Sequence, residues 1–264
     1  MVATNTRVSH AETGLVTAEV IGATRISPHV VRLTLGSEAL RDWRSLGFDQ
    51  WFRLALPASE ETRFDQLSER FDLRGYLYYL ALPKATRPVI RNYTVREHRA
   101  ATGELDVDVV VHGLDGIAGP WAAGLPLGAP VALIDQGCGY RPVEGSTWEV
   151  LVGEESAMPA VLGILRDLPR ECRGDAIIEI PDEADRQPVD APEGMRVQWL
   201  VRTAGARPGA AALEALRQLA LDGETVSAFV AGEQQLASGG RRHLVQEVGV
   251  PKAAIDFTGY WRLR

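Results

Sequence analysis

Between Gly14 and about Ile134, apolar residues recur at every second position, as in Val31-Leu33-Leu35, Phe52-Leu54-Leu56 and Val107-Val109-Val111, with turn residues between the runs. Alternation of this kind sends one set of side chains to a core and the other to solvent, the mark of half-buried β-strands. Several short strands at such spacing predict a closed antiparallel barrel. Segment 57–89, with mixed charges and the Tyr76 to Tyr79 cluster, breaks the alternation and reads as a long loop with room for a helical turn. Past Gly137 to Gly145, a stretch of Gly, Pro and polar residues, the period changes. Trp148 to Val152 reads as a buried strand, and Ser156 is placed to cap a helix running to about Leu168, with Pro159 in its first turn and Val161, Leu162, Leu165 and Leu168 facing inward. Strands at Ala176 to Ile180, Val197 to Val201 and Val226 to Ala231, with helices near Ala210 to Leu221 and Arg241 to Val248, predict a parallel sheet of the α/β class. The expected organisation is a β-barrel domain over residues 1–145 and an open α/β domain over 146–264.

Composition narrows the function without deciding it. A chain of 264 residues, 45% of them apolar, has enough for two modest cores. Its net charge of −7 argues against nucleic acid as a partner, so an anionic ligand must be drawn by a local basic pocket rather than by the overall field. Residues 1–14 lack the apolar core of a signal peptide, and no stretch approaches the ~20 apolar residues of a membrane helix, so a cytoplasmic protein without membrane insertion is expected. Cys138 and Cys172 fall in different expected domains and lack metal-ligand spacing, which predicts reduced thiols and no protein-bound metal.

The segment Arg91-Asn92-Tyr93-Thr94-Val95-Arg96 joins a guanidinium, a phenol and a hydroxyl on one predicted strand. Arg91, Tyr93 and Val95 would face one way and Asn92, Thr94 and Arg96 the other. Arg91 suits a phosphate, Tyr93 a flat ring system, and Thr94 offers a hydroxyl or its N–H to a redox-active ring nitrogen. Tyr, Thr and Val are also ordinary strand formers, so the run does not decide by itself. About twenty residues on, the alternating Asp106 to Val111 breaks at His112-Gly113 into a glycine-rich loop, Gly116-Ile117-Ala118-Gly119-Pro120-Trp121. Small residues there would let backbone N–H groups approach a pyrophosphate. The same residues also fit a half-buried histidine and a Gly-Pro turn capped by Trp121.

Together with Gly153-Glu154-Glu155-Ser156-Ala157-Met158-Pro159-Ala160, Trp199-Leu200, Ala231-Gly232-Glu233 and the terminal Gly259-Tyr260-Trp261-Arg262, these motifs run in an order that resembles the bacterial siderophore-interacting proteins. That family comprises flavin-dependent ferric-siderophore reductases of the ferredoxin reductase superfamily, and the resemblance covers the chain from about Asp49 onward. It implies a barrel that binds FAD through Arg91, Tyr93, Thr94, Val95, His112, Gly116, Ala118, Gly119 and Trp121, with His112 beside the phosphate or adenine portion. It implies that the α/β domain brings NADH or NADPH to the carboxyl ends of its strands, with Glu154 and Ser156 as neighbours of the nicotinamide. Helix capping is the alternative role for Glu154, Glu155 and Ser156. Arg53 and Arg262 would line a pocket for the ferric siderophore. A Gly-x-Gly-x-x-Gly fingerprint is absent, so nicotinamide binding rests on the superfamily likeness.

Three positions depart from the family pattern. Ile117 replaces a usual proline, Cys138 stands where a basic residue is common, with Arg141 the nearest cation, and Gly239-Gly240 interrupts a segment that relatives run as a helix, which predicts a late helix start. Arg241 and Arg242 after it suit either surface charge or a cofactor phosphate. The resemblance implies a monomer that passes electrons from NAD(P)H, or from ferredoxin, through FAD to chelated iron(III). No residue is expected to act as a catalytic acid or base, since the chemistry belongs to the flavin. The alternatives are a flavin reductase or diaphorase with another acceptor and a non-redox siderophore-binding protein.

Overall fold

The computed structural model describes residues 13–111, 116–221 and 223–263. Strands β1 (Leu15–Ser27), β2 (Val30–Gly36), β3 (Trp51–Leu56), β4 (Val89–Thr94), β5 (Glu97–Arg99), β6 (Glu104–Val110) and β7 (Pro130–Gly137) pair antiparallel in the order β4-β3-β7-β1-β2-β6-β5. The alternation sets the inside: Val31, Leu33, Leu35, Phe52, Leu54, Leu56, Val107 and Val109 form one core with Val131 and Leu133. Two register shifts in β1, at Val20/Gly22 and Arg25/Ser27, add the local twist that a curled sheet needs. Beyond β4 the chain returns to β6, where Arg96 N–H donates to Asp106 O (2.9 Å), and the sheet closes into a barrel-like form. The polar partners of the alternation make an ionic outer face, with Arg32 clamping Asp108 (2.7 and 2.8 Å) and Arg99 clamping Asp106 (2.8 Å).

Segment 57–89 corrects the loop expectation, because it contains helix α1 (Leu73–Ala81). Asp72 caps it, accepting from Gly75 N–H (2.9 Å), and a Cβ on Gly75 would stand 2.2 Å from Arg70 O. Tyr79 joins Leu67 and Leu82 over Ala55 and Ala132, while Leu73, Tyr76, Leu77, Tyr78 and Leu80 are exposed. With Tyr79 its one large side chain on the core and the other apolar residues exposed, α1 shows no buried stripe of period 3.6 that would have revealed a helix. The expected glycine-rich loop is likewise helical from Ala118, as α2 (Ala118–Ala123).

The second part alternates strand and helix as expected: β8 (Trp148–Glu154), α3 (Met158–Asp167), β9 (Arg173–Ile180), β10 (Gly194–Val201), α4 (Ala210–Arg217), β11 (Val226–Glu233), α5 (Gln234–His243) and β12 (Ile255–Trp261). Its sheet is parallel in the order β10-β9-β8-β11-β12, so strand order reverses at β8. Two expectations fail here. Ala157, not Ser156, is the N-cap of α3, and it gives no side-chain cap. Helix α5 does not start late: Glu233 caps it at Gln235 N–H (2.6 Å), and it runs through Gly239 and Gly240. A Cβ at Gly239 would come 2.8 Å from a Leu213 methyl and one at Gly240 2.9 Å from a Val230 methyl, so the glycines let α5 lie close on α4 and β11. Packing outweighs their low helix propensity.

Residues 13–46 with 50–138 form one unit, and 139–263 with the tripeptide 47–49 form the other. Asp49 accepts from the N–H groups of Gly139 (3.0 Å) and Tyr140 (2.9 Å), and burial pushes its carboxyl up to about 6. Phe48 N–H donates to Asp167 Oδ2 (2.5 Å). Neither cysteine is in a disulfide, and both are half-buried. No helix among the described residues is long and apolar enough to cross a membrane.

Candidate functional site

Strand β4 is an edge of the barrel sheet, so among the described residues one side of its main chain has no neighbouring strand. Across the ladder to β3, Trp51 faces Thr94, Phe52 faces Tyr93, Arg53 faces Asn92 and Leu54 faces Arg91. Paired residues share a sheet face, which puts Arg91 and Tyr93 on the side of Phe52 and Leu54, and Asn92 and Thr94 on the side of Arg53 and Trp51. Tyr93 is half-buried with its ring against the barrel core, and burial pushes its phenol up to about 12 against the opposing pull of the Arg91 charge. Arg91 is exposed, and among the described residues it meets no carboxylate, donating only to Ile90 O (2.8 Å). The Thr94 hydroxyl likewise has no partner among the described residues, although the residue is buried. Val95 is buried in the core and donates its N–H to Gln50 O (2.7 Å).

Arg53 stacks its guanidinium 4.4 Å from the Phe71 ring centre and donates to Gln136 (3.1 Å). Its partners are neutral, and burial draws its pKa down. The structure thus brings Arg53, Asn92 and Thr94 to one face. Gly116 takes φ +83°, a conformation that favours glycine, and among the described residues nothing stands within 4 Å of where a Cβ would sit. Ala118 and Ala122, one helical turn apart, are buried in the core, Trp121 packs beside them, and Gly119 is half-buried. Ala118 therefore has its side chain in the core, and of the small residues only Gly116 and Gly119 stay accessible. His112 lies outside the described residues.

In the other unit, the carboxyl ends of the parallel strands carry buried acids. Glu154, at the end of β8, accepts from Ser156 N–H (2.8 Å), from the Ser156 hydroxyl and from the Trp261 indole (3.0 Å). Burial, and next to it the neighbouring Glu155, pushes its carboxyl up to about 8. Glu155 is clamped by both terminal nitrogens of Arg202, whose Nε donates to Glu179 (2.7 Å). Glu179, at the end of β9, also accepts from the N–H groups of Gly209 (2.8 Å), Ala211 (2.9 Å) and Ala212 (3.1 Å) at the start of α4. Carboxylates are favoured there by the orphan N–H groups and the helix dipole. Glu233, at the end of β11, accepts from Arg207 (2.8 Å), Gln235 N–H and Leu263 N–H (3.1 Å). Trp261 and Leu263 are thereby fixed on either side of Arg262, which is exposed at the end of β12.

Comparison with known proteins decides the family. Residues 19–138 match the model of the siderophore-interacting FAD-binding domain, and residues 146–264 match that of the siderophore-interacting protein. The solved structure of a siderophore utilization protein from T. fusca is 30% identical at a TM-score of 0.77, covering 99% of this chain and 95% of that one. This chain belongs to the siderophore-interacting protein family. The ferric vibriobactin reductase of Vibrio cholerae is 35% identical over 178 residues, covering 67% of this chain and 65% of that protein. A ferredoxin-NADP+ reductase from Plasmodium falciparum, 9% identical with a TM-score of 0.63 and full coverage of both chains, shows the shared fold.

The donor set of this siderophore-interacting protein fits the FAD that its barrel family binds. Arg91 and the Thr94 hydroxyl are uncommitted, and the Trp51 indole N–H, opposite Thr94, is buried without an acceptor among the described residues. A buried donor left unpaired costs about 1–3 kcal/mol, which a ligand acceptor relieves. Among the described residues no cluster of His, Cys, Asp or Glu is arranged to hold a metal. Sequence reasoning missed Glu179, Arg202 and Arg207. A carboxylate inside the apolar run Ala176-Ile177-Ile178-Glu179-Ile180 was the available signal, because such a group must be answered by a buried partner.

Proposed function

We propose that this chain is an FAD-dependent reductase of ferric siderophores that draws its electrons from reduced nicotinamide and releases iron(II). The observation that carries the reading is the open donor set of β4, Arg91 with the Thr94 hydroxyl, inside a domain whose family binds FAD. When bound, FAD supplies the change from two-electron to one-electron transfer. Arg91 would take a phosphate of the dinucleotide with its guanidinium fork, and Tyr93 would give its ring a flat apolar seat. Gly116 and Gly119 would let main-chain N–H groups near the pyrophosphate.

Glu154 and Ser156 would neighbour the nicotinamide. Burial and the neighbouring Glu155 raise the Glu154 pKa, so that strand end presents less negative charge to an anionic dinucleotide than its sequence suggests. Arg53 and Arg262 would supply local positive charge for an anionic chelate in a chain of net charge −7. Hard oxygen chelators hold iron(III) more tightly than iron(II), so one electron frees the metal. The name of the Vibrio cholerae relative supports this substrate class.

The test is a visible spectrum of the purified chain with added FAD, followed by anaerobic mixing with NADH, NADPH and reduced ferredoxin and then with a panel of ferric chelates. Flavin bands, bleaching by a nicotinamide and appearance of iron(II) are expected. A protein that stays colourless with FAD ends the reading. Bleaching without iron reduction would make it a diaphorase for another acceptor.

A further inference from the structure

Helix α5, the wider turn Leu244–Val248 that follows it, and β12 border a cavity of about 330 Å³ in the α/β unit. Arg241, Arg242 and Lys252 line it together with Ser238, Gln246 and Phe257, and among the described residues no carboxylate does. The Phe257 ring is buried, with the Arg241 guanidinium 5.0 Å from its centre. Between α3 and α4 the arginines are neutralised: every one from Arg166 to Arg217 meets a carboxylate. Arg241, Arg242 and Lys252 have no such partner among the described residues.

Three like charges gather around one concavity, where water and salt lower their mutual repulsion without removing it. The negative end of α5 accounts for Arg241 and Arg242, which stand in its last turn. It does not account for Lys252, which comes from the separate turn Lys252–Ala254 ahead of β12, nor for the absence of acids from the lining. We propose that this cavity is a binding site for a small phosphate-bearing anion. Two guanidinium forks and an ammonium suit the tetrahedral oxygens of a phosphate, and the Ser238 hydroxyl and Gln246 amide add neutral donors. The volume falls at the low end of small-molecule sites and suits a pyrophosphate or a small phosphate ester. The cavity draws on the last turns of α5, whereas Glu154 and Glu233 close the carboxyl ends of β8 and β11, so the proposal stands apart from the flavin reading.

The test is calorimetric titration of the full chain as purified with pyrophosphate, inorganic phosphate and citrate at constant ionic strength. Saturable binding of pyrophosphate is expected. The double variant Arg242→Gln, Lys252→Gln should weaken it by about tenfold or more, because two charge-assisted contacts are lost. Both side chains are exposed, so the variant should keep the thermal midpoint of the parent. Arg170→Gln, which removes an exposed arginine already paired with Asp190, should leave binding unchanged. Absence of saturable binding by the parent, equal binding by the double variant, or citrate bound as tightly as pyrophosphate would each overturn the proposal.

Discussion

Strand β4 and the carboxyl ends of β8, β9 and β11 both carry charged side chains at strand positions, yet their surroundings are opposite. Arg91 keeps its guanidinium in solvent with a single main-chain carbonyl for company, whereas Glu155, Glu179 and Glu233 are each met by an arginine. Water solvates an exposed charge at little cost, while a charge removed from water must be answered inside the protein. The open set on β4 is therefore free to serve a ligand. The closed set at the strand ends serves the fold, fixing the start of α4 through Glu179 and the chain terminus through Glu233.

The comparison breaks most visibly at Arg202. Replacing it with alanine strands the buried Glu155 and Glu179, and a loss of about 3–5 kcal/mol is expected from the urea midpoint. An unchanged midpoint would mean the closed set does not hold the fold. Arg91→Ala should do the reverse: FAD affinity falls by about tenfold to a hundredfold, equivalent to about 1.5–3 kcal/mol, while the thermal midpoint of the flavin-free protein stays put. Gly240→Ala probes the packing behind Glu233. It should cost about 1–3 kcal/mol through overpacking on Val230 and Leu216, even though alanine favours a helix by about 1 kcal/mol.

Glu154 gives a subtler readout. Its folded pKa is raised from the ordinary 4.5 of a glutamate, so between that value and about 8 the folded state holds a proton that the unfolded chain has released. Its contribution to stability is therefore greatest below about pH 4.5 and declines as pH rises toward about 8. Glu154→Gln should flatten that decline in denaturation curves taken across the range. The smallest effect is assigned to Arg262→Ala, which should raise KM for anionic chelates by roughly a few-fold and leave neutral chelates unaffected, as suits an exposed charge.

Much of this was legible in the chain, for identifiable reasons. Period-two alternation gave the barrel core and, through β4, the shared face of Arg91 and Tyr93. Helix α1 stayed hidden because its Leu residues, Tyr76 and Tyr78 are exposed and only Tyr79 packs inward, leaving no buried apolar stripe to read. Helix α5 was misjudged at Gly239 and Gly240 because its continuity depends on Leu213 and Val230, side chains far off in sequence. Ser156 looked like a cap by position, but its hydroxyl is claimed by Glu154. The pairing of Arg202 with both Glu155 and Glu179 needs strand order, which local pattern does not contain.

The tripeptide 47–49 bears on how this chain can be cut. A fragment begun at Gly139 would be missing a piece of its own fold: the carboxylate that receives the Gly139 and Tyr140 N–H groups, and the Phe48 carbonyl against which Gly163 leaves no room for a side chain. A recombinant second half of this protein needs Gly47 to Asp49 grafted back by a linker, or it will report on a damaged molecule.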